Sequence, residues 1–284
     1  MTQNGRIISL DEWLLTPAGR YLLAWEQQQL DRTVGDLFGF HAVQLGLPQL
    51  DGLGQNRMPH RWTAVDRLSL GDPATIQAPC GPPEGAPARV AGQPAPRALV
   101  TDFDALPFET QSLDLVVLPH TLELARDPHQ TLREVDRVLV PEGKLVAIGL
   151  NPASLWGAQQ RTAPLLSRLG MGTDFLPPRG DLIGYWRLRD WLRLLSFDIE
   201  RGRFGCYRPA LRSQQWLDRF GWMEPAGDRW WPVLGAVYFL VATKRVRGMR
   251  LIGPAWKQRQ QSQRARAVAA RREPISESSD ASRR

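Results

Sequence analysis

The chain has 284 residues, 43% of them hydrophobic, enough to bury one substantial core. Its two cysteines, Cys80 and Cys206, show no Cys-x-x-Cys spacing, which excludes a disulfide framework and a zinc knuckle and leaves buried or free thiols. The net charge of +7 misrepresents the body of the chain: from Lys244 onward twelve Lys or Arg stand against three acids, a local +9, so residues 1–243 carry −2.

No apolar run long enough for a secretory signal occurs between Met1 and Leu10, and Val233 to Ala242 is too short to cross a bilayer as a helix. A soluble, cytoplasmic protein is expected. Thr16-Pro17 reads as a helix start, with a capping oxygen followed by a proline whose missing N–H costs nothing. Leu23, Leu30, Val34 and Leu37 then repeat at helical spacing, predicting a helix over about 16–38 that ends near Gly39. His41 to Leu47 follows as a short strand broken by Pro48. From Pro48 to Arg97 the chain is rich in Pro and Gly and reads as loop.

A regular alternation begins at Ala98. Ala98 to Thr101 and Leu113 to Leu118 are short apolar runs of the kind a doubly covered parallel sheet needs. Asp127-Pro128-His129-Gln130 opens a helix whose buried face is Leu132, Val135 and Leu139. Pro141-Glu142-Gly143 reads as a turn into a strand over Leu145 to Leu150. That strand, helix, strand crossover makes the two strands parallel. Leu188, Trp191, Leu192 and Leu195 mark another helix, followed by short strands over Phe197 to Glu200 and Val237 to Val241. Residues 1–245 are expected to form one α/β domain, with 246–284 a basic, disordered tail rich in Gln, Arg, Ala and Ser.

The segments Asp102-Phe103-Asp104-Ala105-Leu106-Pro107-Phe108, Leu113 to Leu118, Asp127-Pro128 and Arg137-Val138-Leu139-Val140-Pro141-Glu142-Gly143, in this order and spacing, resemble the second half of the cofactor domain of class I S-adenosylmethionine-dependent methyltransferases of the type 11 subgroup. The resemblance implies a Rossmann-like α/β fold, a mostly parallel sheet flanked by helices, with S-adenosyl-L-methionine as cofactor and methyl transfer to an unidentified acceptor as activity. It implies that Asp102 accepts a hydrogen bond from the adenine amine, that Phe103 lies along the adenine edge, and that Pro119 and His120 border the methionine end. After the first strand the family carries an acid and a Gly-x-Gly; here the chain reads Val43-Gln44-Leu45-Gly46-Leu47-Pro48, and Gly46 alone matches. The family's second strand, ending in an acid that holds the ribose hydroxyls, has no evident counterpart between Pro48 and Arg97.

Each candidate has a plainer reading. Asp102 also suits a turn, and Gly46 an ordinary strand end. His120 is a weak candidate general base because imidazole titrates near neutrality, the alternative being a hydrogen-bonded structural histidine. Asn151-Pro152 follows the wrong strand for an amine-methyltransferase motif and reads as a turn. Eleven tryptophans are present, five of them between Trp216 and Trp256, suited to a lid over a planar substrate or to packing and surface anchoring. The tail's spaced arginines would favour weak contact with nucleic acid or an acidic partner, with no metal and no membrane span expected. The rival to an enzyme is a non-catalytic methyltransferase-fold protein binding RNA or protein through that tail. A nicotinamide enzyme lacks any Gly-x-Gly-x-x-Gly here.

Overall fold

A computed structural model describes residues 13–66, 96–168, 182–210 and 213–246, with 162–168 described as backbone. The basic tail beyond residue 246, most of the Pro/Gly-rich stretch and Cys80 lie outside the described residues. Among the described residues, seven strands form one sheet: β1 (His41–Leu45), β2 (His60–Asp66), β3 (Arg97–Thr101), β4 (Leu113–Pro119), β5 (Leu139–Leu150), β6 (Phe197–Gly205) and β7 (Val237–Lys244). Their order is β3-β2-β1-β4-β5-β7-β6. The first five pair in parallel, and β7 runs antiparallel between β5 and β6. This is the Rossmann-like, mostly parallel sheet that the family resemblance implies. Its chain reversal between β1 and β4 is where open α/β sheets collect ligands.

Alternation along the central strands divides the core in two. Ala42, Leu115, Val117, Val146, Ile148, Phe239 and Val241 face α1 (Pro17–Val34), against its Leu22, Leu23, Leu30 and Val34. Val43, Leu45, Val116, Leu118, Leu145, Ala147 and Leu240 face the other way, toward α3 (Pro128–Val138) and α5 (Tyr185–Leu194). Strands buried on both faces read as continuous apolar runs because both parities must be hydrophobic. The remaining helices are α2 (Thr121–Leu124), α4 (Leu155–Arg168), α6 (Gln214–Arg219) and α7 (Met223–Trp230), with a 3-10 turn over Pro232–Leu234. No helix of the described residues is long and apolar enough to cross a membrane.

Helix starts follow the sequence closely. Thr16 Oγ1 accepts the Gly19 amide at 3.2 Å, and Asp127 Oδ1 accepts those of His129 and Gln130 at 2.9 and 3.2 Å. Several boundaries differ. Helix α1 stops at Val34 rather than near Gly39. Strand β1 stops at Leu45 rather than Leu47, because Gly46 (φ 84°) and Leu47 (φ 42°) turn left-handed. Pro141-Glu142-Gly143 lies within β5, where a left-handed Glu142 and a register shift opposite β4 absorb the irregularity.

The largest correction is β2, in a stretch that reads as loop. Its buried residues include Arg61, whose guanidinium donates to the carbonyls of Leu53 and Asn56 at 3.0 and 3.3 Å. A buried arginine hides the strand from any hydrophobic pattern. Residues 46–59, between β1 and β2, run through turns with no helix. Helices α4, α6 and α7 also carry no clear signal in the sequence.

Candidate functional site

The carboxyl ends of β1 to β4 meet at one edge of the sheet. After Leu45 the chain swings through Gly46, whose amide donates to the Ala64 carbonyl of β2 at 2.7 Å. The turn is held from beneath by Gln44, 1% exposed. Its Nε2 donates to the carbonyls of Gly46, Leu47 and Leu50 at 3.1, 2.9 and 2.8 Å, and its Oε1 accepts the Gly52 amide at 2.9 Å. One side-chain amide thus does the organising that a helix start would do elsewhere. Leu47 packs into the core against α1, away from the Gly46 face. On that face a Cβ at Gly46 would stand 3.4 Å from Thr121 Oγ1 and 3.8 Å from the ring of Phe103.

Strand β2 ends at Asp66, paired in register with Thr101, so Asp66 stands beside the residue preceding Asp102. Asp66 is an acid at the end of a second strand, which the sequence alone does not place. The missing signal was the strand itself. Asp102 is exposed and its carboxylate accepts the Asp104 amide at 3.1 Å, which makes a turn of the segment. Phe103 is buried with Val43, Leu45 and Ala64. The next residues are clamped by α3. Arg137 donates to the carbonyls of Leu106 and Phe108 at 3.0 and 2.9 Å, and Glu134 accepts the Leu106 amide at 3.2 Å while pairing with Arg137 at 2.8 Å. The Leu-Pro-Phe and Arg-Val-Leu segments are therefore two halves of one clamp. The hydrogen bond from Arg137 holds the Glu134 carboxyl below the usual glutamate range, against an opposing contribution from burial.

Strand β4 ends at Pro119, buried, and His120, which adopts a left-handed φ of 52°. The imidazole Nε2 lies 2.7 Å from Glu26 Oε1 on α1, and Nδ1 lies 3.0 Å from Glu123 Oε2. All three residues are buried. Burial pushes the imidazole pKa down, but the charge of Glu26 and the hydrogen bonds of both carboxylates outweigh it and raise it to about 10. His120 is thus an imidazolium between two carboxylates. Glu123 also accepts the Leu150 amide of β5, and the Thr121 hydroxyl donates to the Leu45 carbonyl of β1, so the three central strand ends are tied together. Glu26 is invisible in the sequence because 94 residues separate it from His120.

The geometry thus brings Gly46, Phe103, Pro119 and His120 to one edge with Asp102 and adds Asp66. A left-handed glycine turn, two acceptor carboxylates on adjacent strand ends and an aromatic ring fit a nucleoside, which offers hydroxyl and amine donors and a flat ring. Asn151, after β5, forms a turn: its Oδ1 accepts the Ala153 amide at 3.1 Å, and its Nδ2 donates to the carbonyls of Val233 and Gly235 at 2.8 and 2.9 Å. A separate cleft of about 290 Å³ lies between α1 and β6, lined by Trp25, Arg32, Arg203, Tyr207 and Asp228 among others.

Comparison with known proteins agrees with this fold. Residues 84–147 match the family model described as a methyltransferase domain. The chain is 26% identical over 239 residues to the uncharacterized protein YafS of Escherichia coli K12, covering 84% of this chain and 82% of that one. A 52-residue segment is 40% identical to the demethylmenaquinone methyltransferase of Chlamydia pneumoniae, covering 18% of this chain and 23% of that one. Among solved structures, an S-adenosylmethionine-dependent methyltransferase from Thermotoga maritima superposes with a TM-score of 0.53 at 17% identity, over 83% of this chain and 94% of its own. The Haloferax volcanii protein solved in complex with the Trm112 methyltransferase activator gives 0.52 at 16% identity, over 84% and 97%.

Proposed function

We propose that this chain, whose residues 84–147 match a methyltransferase-domain model, is a class I S-adenosylmethionine-dependent methyltransferase that transfers a methyl group from that cofactor to an acceptor at the carboxyl edge of β1 to β4. The bound cofactor supplies a methyl already activated on a sulfonium sulfur, so the chain's own part is to bind, orient and exclude water. Asp102 accepts from the exocyclic amine of adenine, and Asp66 from the ribose hydroxyls. Gly46 lets the backbone approach the ligand closely, and Phe103 backs the ring. Pro119 and His120 border the methionine end.

In this reading His120 is a positioning residue. Both of its ring nitrogens face carboxylates, so it holds its proton and stiffens the strand end instead of accepting a proton from an acceptor. Residues 1–245 form the catalytic unit, and the basic tail adds weak contacts with nucleic acid or an acidic partner.

The observation carrying this proposal is the convergence of Gly46, Asp66 and Asp102 on three neighbouring strand ends. Calorimetric titration of the full chain with S-adenosylhomocysteine tests it, with micromolar binding expected. A folded sample that takes up none at millimolar ligand overturns it in favour of the non-catalytic reading.

A further inference from the structure

The β6–β7 connection carries α6, α7 and the 3-10 turn, and its exposed residues are unusually apolar. Trp216, Trp222, Trp230, Trp231, Val233 and Leu234 all lie open to solvent, with Trp222 61% and Trp230 74% exposed. Residues 230–234 are five consecutive exposed positions, so this stretch forms the exposed tip of the insertion. Its place in the fold is fixed by register. Val237 at the start of β7 pairs with Leu150 and with Gly205, the last residues of β5 and β6, and Asn151 ties Val233 and Gly235 to the end of β5. The tip therefore lies along the same carboxyl edge as the proposed active site.

We propose that this insertion docks on the surface of a phospholipid bilayer, so that the methyl acceptor is an amphiphile presented from that surface. The acceptor half of this inference rests on the methyltransferase reading above; the docking half does not. Indole is the side chain suited to the boundary between headgroups and acyl chains, with a broad apolar body and one polar N–H. Arginine accompanies it here: Arg219 stacks over Trp216 at 5.6 Å, and Arg189 stacks over the exposed Trp186, at the start of α5, at 4.3 Å. Such pairs offer headgroup phosphates a cation while the ring enters the interface. The acids of the insertion are turned to other partners. Glu224 accepts the amides of Cys206 and Tyr207, Asp228 faces Arg203 at 3.7 Å, and Asp218 accepts from Gln214.

A second copy of the chain fits this surface poorly. A stable dimer needs roughly 800 Å² per partner, with a centre depleted of charge. Here the apolar residues are interleaved with exposed Arg219, Asp228 and Arg229. A fluid surface requires no complementary groove.

The test is flotation of the full chain with vesicles of mixed phosphatidylcholine and phosphatidylglycerol at about 0.5 M salt, where charge contacts are screened. Wild type is expected to float. The double variant Trp230→Ser, Trp231→Ser and, separately, Trp222→Ser should lose about tenfold in partitioning, with unchanged thermal melts. Binding that salt abolishes, or that survives in the variants, would assign it to the basic tail and overturn the proposal. Concentration-dependent dimers of wild type that the variants lose would overturn it in favour of self-association. Titration with S-adenosylhomocysteine separates the two halves. Flotation without cofactor binding supports docking and removes the acceptor assignment, whereas cofactor binding without flotation leaves the methyltransferase reading intact and overturns docking.

Discussion

His120 Nε2 lies 2.7 Å from Glu26 Oε1, joining the end of β4 to the middle of α1 within the protein interior. Glu123 holds the other ring nitrogen at 3.0 Å, so one cation serves two carboxylates. Removing one partner of a buried ion pair costs about 3–5 kcal/mol, because the remaining charge is stranded. Glu26→Ala is therefore expected to destabilise the fold by that order in urea unfolding. The imidazole's folded pKa, about 10, lies above its ordinary value. Its stabilisation is thus complete below about pH 6.5 and declines as pH rises through about 10. Urea midpoints measured between these limits should fall for wild type. They should be much flatter for His120→Asn, and equal slopes for the two would count against the charged imidazole.

The clamp of Arg137 on Leu106 and Phe108 predicts that Arg137→Ala loosens the turn bearing Asp102. The expected cost is about 1–2 kcal/mol, with a fall in affinity for S-adenosylhomocysteine although residue 137 itself touches no ligand in this reading. Arg137→Lys should restore only part of it, since an ammonium cannot reproduce the planar fork that spans two carbonyls and a carboxylate. The lowered pKa of Glu134 adds a pH signature of opposite sign to that of His120. Its contribution is present above the ordinary glutamate pKa and disappears as pH falls through the depressed value. Acid unfolding of Arg137→Ala should accordingly begin from a less stable protein and show a shallower slope.

Gly46 adopts φ 84°, a conformation that costs an L-residue about 1–2 kcal/mol. Gly46→Ala should lower stability by that order and weaken cofactor binding further, because the methyl would enter the face shared with Thr121 and Phe103. Calorimetry and thermal unfolding on the same samples separate the two effects.

Asp102→Asn and Asp66→Asn should each reduce affinity for S-adenosylhomocysteine about tenfold or more, the worth of a hydrogen bond to a charged acceptor. Asp102 is exposed, and its substitution should alter stability by no more than about 0.5 kcal/mol. S-inosylhomocysteine, which lacks the exocyclic amine, should bind wild type weakly and be indifferent to Asp102→Asn, while remaining sensitive to Asp66→Asn. A ligand preference that Asp102→Asn leaves unchanged would remove that residue from the adenine edge.

The linear order of residues determined the architecture from β3 to β5, the two best capped helix starts and the turn at Asp102. Each of these is encoded by neighbours: apolar runs that must be buried on both sides, an oxygen one residue before a proline, a carboxylate two residues from the amide it accepts. The tertiary structure alone decided the rest. Strand β2 declares itself through pairing with β1 and β3, because its buried residue Arg61 is satisfied by carbonyls of the preceding loop and not by apolar burial. Asp66 becomes a candidate ligand only once that pairing sets it beside Thr101. His120 acquires its charge from Glu26, which is remote in the chain and adjacent in space. Coulombic and hydrogen-bond energies depend on separation in three dimensions, and for these residues the fold supplies that separation.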